Sequence, residues 1–213
     1  MTPEEKQLYI KFMKRRFSQS SHVNCSVCRK CGGTCCKRSG CGLMTCDVPV
    51  MSVSGIRRML DTGKYSITFF CADFGDGIII PIPIMNAREI DSQRVNNSII
   101  RKPCALHKEN GCMLSDTERP TMGLLYIPKS DGHCKMLVDQ METLQDWYPH
   151  AHMMEEVVRQ ETGKSSQELF YSGCIEAAME IRQKLDLGKE LTESELDALQ
   201  VLNLTGIIAI LGE

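Results

Sequence analysis

The sequence predicts an α+β fold, in which a cysteine-rich region of loops and strands precedes a helical C-terminal half. Cysteines and glycines are concentrated in the first part of the chain, beside two apolar segments with the composition of β-strands. From about residue 135, apolar residues recur at helical spacing, and glycine or proline occurs only where helices are expected to break. We therefore divide the chain into a cysteine-cluster region, residues 1–134, and a helical region, residues 135–213.

Two helices are predicted in the first region, one on each side of a cysteine-rich loop. Thr2 and Pro3, followed by two acids, are typical of a helix start, so the cysteine-cluster region should begin with a helix. A second helix is predicted over residues 53–62, because a serine precedes it and Gly63 can end it.

Two hairpins are also predicted in this region. Residues 65–71 and 77–84 have strand composition and are joined by a turn at residues 73–77. Because Pro81 and Pro83 cannot donate ladder hydrogen bonds, the second strand should be an edge strand or leave the sheet there. Residues 104–112 predict a smaller hairpin with its turn at Asn110–Gly111.

The helical region is predicted to contain three or four helices between Lys135 and Leu211. Ser165 with Glu168, and Thr192 with Glu195, are capping-box patterns that mark two helix starts. The expected breaks lie near Pro149, Gly163 and Gly188.

Charge and composition argue against several classes of function. The chain has 25 Lys and Arg against 27 Asp and Glu, a net charge of -2, and only 6% aromatic residues, so a nucleic-acid-coating role is not expected. No apolar run reaches the ~18 residues of a membrane span, and the charged N-terminus lacks the apolar segment of a signal peptide. We expect a cytoplasmic protein without a membrane segment.

Twelve cysteines in a reducing compartment predict metal binding. Disulfides are not maintained there, and a secreted disulfide framework would need an export signal. Cys71 lies in an apolar strand pattern and Cys174 on a predicted helix, so we interpret both as buried core residues rather than ligands.

The spacing at the first thiols is that of a bacterial ferredoxin. Cys25, Cys28, Cys31 and Cys35 form C-x2-C-x2-C-x3-C, and Cys36 follows directly. Short gaps let one loop present several thiolates to one cluster, and the Gly32–Gly33 pair lets the backbone pass close to it. This pattern favours an iron–sulfur cluster, with a further ligand supplied by Cys104, Cys112 or Cys134.

Zinc is an alternative metal for the same residues. Cys28-x2-Cys31 has the spacing of a zinc knuckle, and Cys104 with Cys112 could supply the other half of a tetrahedral site. Cys41 and Cys46 are candidates for a second site. His107 and His133 lie beside these cysteines as candidate ligands or hydrogen-bond partners of ligands.

This arrangement resembles the CxxCxxCC family of YkgJ-like cysteine-cluster proteins, a zinc- or iron-chelating domain. The resemblance covers about residues 25–134. It rests on the cysteines just described and on Arg119–Pro120, which lies between Cys112 and Cys134. Relative to the family, the segment Cys31–Cys36 is one residue longer, and Gly123 replaces a cysteine that usually follows Arg-Pro. The resemblance therefore implies that Cys25, Cys41 or Cys46 supplies the ligand missing at Gly123.

These observations predict a metal-binding protein with one or two sites. The candidate ligands are Cys25, Cys28, Cys31, Cys35, Cys36, Cys41, Cys46, Cys104, Cys112 and Cys134. The favoured function is an iron–sulfur cluster, such as a [4Fe–4S] cluster, used in electron transfer or redox support of a protein partner that docks on the helical half. The alternatives are a zinc-stabilised interaction module and a metal-dependent modifying enzyme or maturation factor. No catalytic motif is present, so no reaction can be named.

Overall fold

The computed structural model describes residues 32–73, 79–109, 111–114, 119–124, 126–128, 134–136, 138 and 140–211. Within these ranges, helices and small antiparallel sheets form an α+β fold, which confirms the predicted class. The predicted N-terminal helix and Cys25, Cys28, Cys31 and His133 lie outside the described residues.

The elements follow the chain in this order. The helices are α1 (Thr34–Arg38), α2 (Val53–Asp61), α3 (Thr121–Leu124), α4 (Gln140–Trp147), α5 (Ala151–Thr162), α6 (Ser166–Asp186) and α7 (Glu193–Leu204). The antiparallel strand pairs are β1 (Tyr65–Asp73) with β2 (Ile79–Ala87), β3 (His107–Lys108) with β4 (Gly111–Cys112), and β5 (Tyr126–Pro128) with β6 (Cys134–Met136). Short 3-10 helices lie at Thr45–Asp47, Tyr148–His150 and Ile207–Leu211.

The predicted caps that fall on the described residues are confirmed, and α2 ends one residue before its predicted limit. The Ser52 hydroxyl accepts from the Gly55 amide at 3.1 Å at the start of α2. Both predicted capping boxes are formed, at the starts of α6 and α7. Within residues 140–211, four helices are separated near the three predicted breaks.

The antiparallel pairing of β1 with β2 is confirmed, and β2 is an edge strand as predicted. Asp73, the first residue of the predicted turn, is still in β1, and residues 74–78 lie outside the described residues. The β2 strand does not leave the sheet at Pro81 or Pro83, however, but continues to Ala87.

Both prolines have their backbone groups on the same edge of β2 as Met85 and Ala87, because every second residue of a strand faces the same neighbour. This is the edge away from β1, where a preceding loop binds. Leu43 N–H donates to Met85 O at 3.0 Å, and Ala87 N–H donates to Cys41 O at 2.8 Å. The missing N–H groups of the prolines therefore lie on the outer edge, where β1 does not need them.

One hydrophobic core includes side chains from both sequence regions. The α2 helix and the β1–β2 hairpin pack with α4 to α7, and Trp147, Phe170 and Ile67 are among its fully buried members. The Trp147 indole N–H donates to Leu43 O at 2.7 Å, so the helical region also contacts the loop that contains Cys41. Burial of this kind is the main favourable term in folding.

Cys71 and Cys174 belong to this core, as predicted. Cys174 is fully buried, and Cys71 is partly buried against the same cluster. Burial raises the pKa of the Cys71 thiol to about 11 and that of Cys174 to about 12. Both are therefore neutral, apolar side chains at physiological pH.

In the described part of the chain, none of the helices is both long and apolar enough to cross a lipid bilayer.

Substitution of Trp147 by Phe should lower the free energy of unfolding by about 2–4 kcal/mol. The change leaves the buried Leu43 carbonyl without its donor and removes part of a fully buried ring. Urea denaturation followed by far-UV circular dichroism measures the loss. Tyr148→Phe, at an exposed neighbouring ring, is the control and should change stability by less than about 0.5 kcal/mol. Equal effects of the two substitutions would contradict this account.

Candidate metal centre

Thiols from separate segments surround one cavity of about 70 Å³. Its walls are formed by Cys35, Cys36, Cys41, Cys112, His107 and Arg119, with glycines and Pro120 between them. Cys104 lies beside the cavity in a small buried cluster, against which Cys36, Cys41 and Cys112 also pack. Five of the predicted ligands are thus brought together from positions up to 77 residues apart in sequence.

The first wall is α1, which carries Cys35 and Cys36. Gly32 and Gly33 have positive φ of 64° and 69°, a left-handed conformation that glycine adopts without strain, and they turn the chain into the helix. A Cβ at Gly33 would overlap the His107 ring, and His107 Nε2 lies 3.1 Å from Gly32 O. The glycines predicted to allow close approach therefore accommodate a histidine from the second segment.

The second wall is the hairpin that follows Cys104. Cys104 N–H donates to Cys36 O at 2.7 Å, which joins this segment directly to α1. Pairing of His107 with Cys112 brings both side chains to the cavity, and Lys108 pairs with Gly111. The predicted pairing of the hairpin is confirmed, but Gly111 lies in β4 and not in the turn, and Asn110 lies outside the described residues.

The third wall is the loop attached to the outer edge of β2. Cys41 lies on this loop, and its sulfur is 3.1 Å from the point where a Cβ on Gly123 would stand. Cys46, from the same loop, instead lies 3.6 Å from Thr121 Oγ1 and does not line the cavity. Of the three cysteines implied as replacements at Gly123, Cys41 is the one placed there, while Cys25 lies outside the described residues.

Two half-buried aspartates fix this loop to the helices around it. Asp47 Oδ2 accepts from Thr121 N at 2.9 Å and Met44 N at 2.9 Å, and its Oδ1 accepts from Thr121 Oγ1 at 2.6 Å. Asp146 on α4 accepts from Thr45 N at 2.6 Å and from Thr45 Oγ1 at 2.8 Å. These bonds hold α3, and with it Gly123, against the Cys41 loop.

A buried glutamate has the same role in the segment before Cys104. Glu89 is only 1% exposed and accepts from Asn96 Nδ2 and from Lys102 N, both at 3.2 Å. Arg101 lies 3.5 Å away as its ion partner. Burial nevertheless raises the pKa of this carboxyl, as it does for Asp47 and Asp146.

Sequence reasoning did not identify these three carboxylates. Asp47 and Thr121 are 74 positions apart, and Asp146 and Thr45 are 101 apart. Only the fold brings these two pairs together. Asp47 also accepts from Met44 N, three residues earlier, but Met44 is not a residue type that marks a helix start. Glu89 binds Asn96 and Lys102, 7 and 13 positions further on, and no helix or turn pattern links these residues.

The thiols differ in charge state. The Cys35 and Cys36 sulfurs lie 4.0 Å apart, and a hydrogen bond from the Cys36 thiol lowers the pKa of Cys35 to about 6. The same bond, followed by burial, raises the pKa of Cys36. Burial also raises the pKa of Cys41 and of Cys104. Cys35 is therefore a thiolate beside the protonated thiols of Cys36, Cys41 and Cys104, and a metal ion bound by these sulfurs would displace protons.

The donor set fits a soft, thiophilic metal, since sulfur ligands select zinc, copper(I) and iron–sulfur clusters. Among the side chains that the structure describes, however, no three His, Cys, Asp or Glu stand where they could hold a single metal ion. Cys134 begins β6 opposite Pro128 and is described only in its backbone. The described thiols share one cavity without converging on one point.

Comparisons with protein-family models, curated proteins and solved structures find no match to this chain. The resemblance to the CxxCxxCC family therefore stays a prediction that rests on the cysteine pattern.

In metal-free, reduced protein, Cys35 should be the first thiol of the cavity to react with iodoacetamide. With a pKa near 6 it is a thiolate at pH 7.5, whereas Cys104 is buried and protonated. Peptide mass spectrometry over time measures each rate. The Cys35 rate should be nearly constant from pH 7 to 9, while an ordinary thiol gains about tenfold per pH unit below its pKa. A Cys35 rate that rises tenfold per unit over this range would contradict the assignment.

Substitution of Asp47 by Asn should destabilise the protein by about 1–3 kcal/mol, because an amide nitrogen cannot accept the hydrogen bonds that one carboxylate oxygen now accepts. Urea denaturation measures the difference. The control is Asp186→Asn, which removes an exposed i,i+4 ion pair with Arg182 and should cost less than about 0.5 kcal/mol. An Asp47→Asn effect no larger than the control would show that these bonds do not stabilise the loop.

Proposed function

We propose that this protein binds an iron–sulfur cluster and takes part in electron transfer or redox support of a protein partner. The ligands come from the N-terminal cysteine run, which includes Cys35 and Cys36 on α1, and from the segment that contains Cys104 and Cys112. The observation that carries the proposal is the thiol-lined cavity between these two segments. A bound cluster would supply reversible one-electron chemistry, while the chain supplies thiolates, charge and a partly enclosed site.

The size of the cavity supports a cluster over a single ion. A cavity needs about 10–15 Å³ of space for the centre of a water molecule in order to hold one water. The volume of about 70 Å³ is several times larger. A lone metal ion bound by four thiolates at about 2.3 Å would leave little free space between them. The cavity therefore accommodates a polynuclear group better than one ion.

The charge around the cavity also supports an anionic, thiolate-bound centre. Arg119 lines the cavity, and its guanidinium remains positive at every physiological pH. Positive charge near the thiols stabilises their ionised form. Gly111 also lines the cavity, and the open space where its Cβ would stand leaves room for a ligand to approach the backbone amide there.

Zinc is the second candidate, and one distance favours it. The Cys35 and Cys36 sulfurs are 4.0 Å apart. Two thiolates bound at about 2.3 Å to tetrahedral zinc are about 3.8 Å apart. On this alternative the metal stabilises the cysteine-rich segments and the helical region binds a protein partner without redox chemistry.

A partner surface is proposed on the helical region in both cases. Ile175 and Met179 lie four residues apart on α6, on one helix face, and are 44% and 63% exposed. The site is close to this region, because Arg38 of α1 pairs with Glu193 at 2.5 Å and Ser194 Oγ donates to Arg101 O at 2.8 Å. A protein docked on the helices would thus lie near the proposed centre.

Protein isolated without oxygen should contain iron and acid-labile sulfide in equal amounts, with broad visible absorption that dithionite bleaches. Elemental analysis and electronic absorption test this directly. Cys112→Ser should lower iron and sulfide at least fivefold, because it removes a thiol that lines the cavity. Cys174→Ala, in the core and away from the cavity, is the matched control and should keep the wild-type content.

A colourless protein with stoichiometric zinc would overturn the iron–sulfur proposal and support the zinc module. Full iron and sulfide content in Cys112→Ser would show that the cluster, if present, lies elsewhere. Far-UV circular dichroism of each variant separates loss of metal from loss of fold.

A further inference from the structure

We propose that Cys41 is a ligand of this same centre, and that positions 41 and 123 share one ligand position, so that a thiol from either backbone completes the site. This inference rests on the proposed function, since it concerns which residues bind the metal. It assigns a third segment of the chain, the loop on the outer edge of β2, to a site otherwise built from α1 and the Cys104–Cys112 segment.

The two backbones fit each other through reciprocal glycines. A Cβ on Gly123 would stand 3.1 Å from Cys41 Sγ and 3.9 Å from Cys41 Cβ. A Cβ on Gly42 would stand 2.8 Å from Met122 Sδ. Each segment therefore has a side chain where the other has none, and the Cys41 sulfur occupies the space of a side chain at 123.

The Cys41 sulfur also lies among the other thiols. It lines the cavity with Cys35, Cys36 and Cys112, and it packs against the cluster that contains Cys104. Soft metals are bound by several sulfur ligands at once, so a thiol that lines the cavity with three others lies where a ligand is needed.

Both segments are fixed in place. Cys41 O accepts from Ala87 N at 2.8 Å, and Asn86 Nδ2 donates to Gly40 O at 3.2 Å. On the facing side, Asp47 binds the amide and hydroxyl of Thr121 at the start of α3. A sulfur placed on either backbone therefore reaches the same region of the cavity without large movement of the chain.

The test exchanges the thiol between the two positions. Cys41→Ala removes the sulfur but keeps a Cβ 3.9 Å from the new one, an ordinary van der Waals contact. This variant should lose at least fivefold of its bound metal, measured as iron, zinc and sulfide per protein. Cys41→Ala with Gly123→Cys should recover metal to within twofold of the wild type. Cys41→Ala with Gly123→Ser fills the same space without a thiol and should not recover it.

Wild-type metal content in Cys41→Ala would overturn the inference. Equal recovery by Ser and Cys at 123 would also overturn it, because packing alone would then explain the effect. If the wild-type protein contained zinc but no iron, the iron–sulfur proposal would be wrong. The zinc content of the three variants would then still test whether Cys41 and a cysteine at position 123 are interchangeable ligands. The urea midpoints of unfolding of the three variants should be similar, so that differences in metal content do not come from unfolding. If the midpoint fell only in Cys41→Ala, and Gly123→Ser and Gly123→Cys restored it equally, the result would count against a ligand role.

Discussion

The free outer edge of β2 is the constraint on which the candidate site depends. Pro81 and Pro83 remove hydrogen-bond donors from the first part of this edge, while Met85 and Ala87 keep theirs. The loop that contains Cys41 pairs with this second part and nowhere else along the described strand. An unpaired edge is a liability in a two-stranded sheet, and here a cysteine-bearing loop covers it. The sheet thereby fixes the distance between Cys41 and the hydrophobic core.

Three carboxylates, of which Glu89 is buried and two are half-buried, extend this arrangement to other segments. Asp47 holds α3, Asp146 holds the residue before Cys46, and Glu89 holds the segment that leads to Cys104. Withdrawing a carboxylate from water is costly unless it is hydrogen-bonded, and each of these accepts from a backbone amide. The charge thus stabilises one loop arrangement over others, and the thiols inherit their positions from it.

The protonation of the thiols matches their burial. Burial raises the pKa of Cys41 and of Cys104, and one thiolate, at Cys35, is stabilised by a neighbouring S–H. A metal bound as proposed would replace the protons of these thiols and hold the resulting thiolates by their attraction to a common cation. In the proposed function, the free energy of metal binding therefore contributes directly to the stability of the cysteine-rich region.

The sequence by itself determined the elements whose causes are local. Helix caps at Ser52, Ser165 and Thr192 and the β1–β2 pairing depend on local residue patterns, and they are confirmed. Gly111 was predicted in a turn but lies in β4, and α3, β5 and β6 are too short to give a periodic signal. The cysteine spacing likewise predicted a set of candidate ligands, but it left open which of them meet.

Only the tertiary structure decided which of the candidate cysteines lie together. It brings Cys35, Cys36, Cys41, Cys104 and Cys112 together, directs Cys46 toward Thr121, and places Cys71 and Cys174 in the core. Spacing along the chain limits how thiols within one loop can approach each other. It does not determine which loop lies beside another. That depends on bonds at the strand edge between residues 42 and 46 positions apart, and on aspartate and glycine contacts between residues 74 to 101 positions apart.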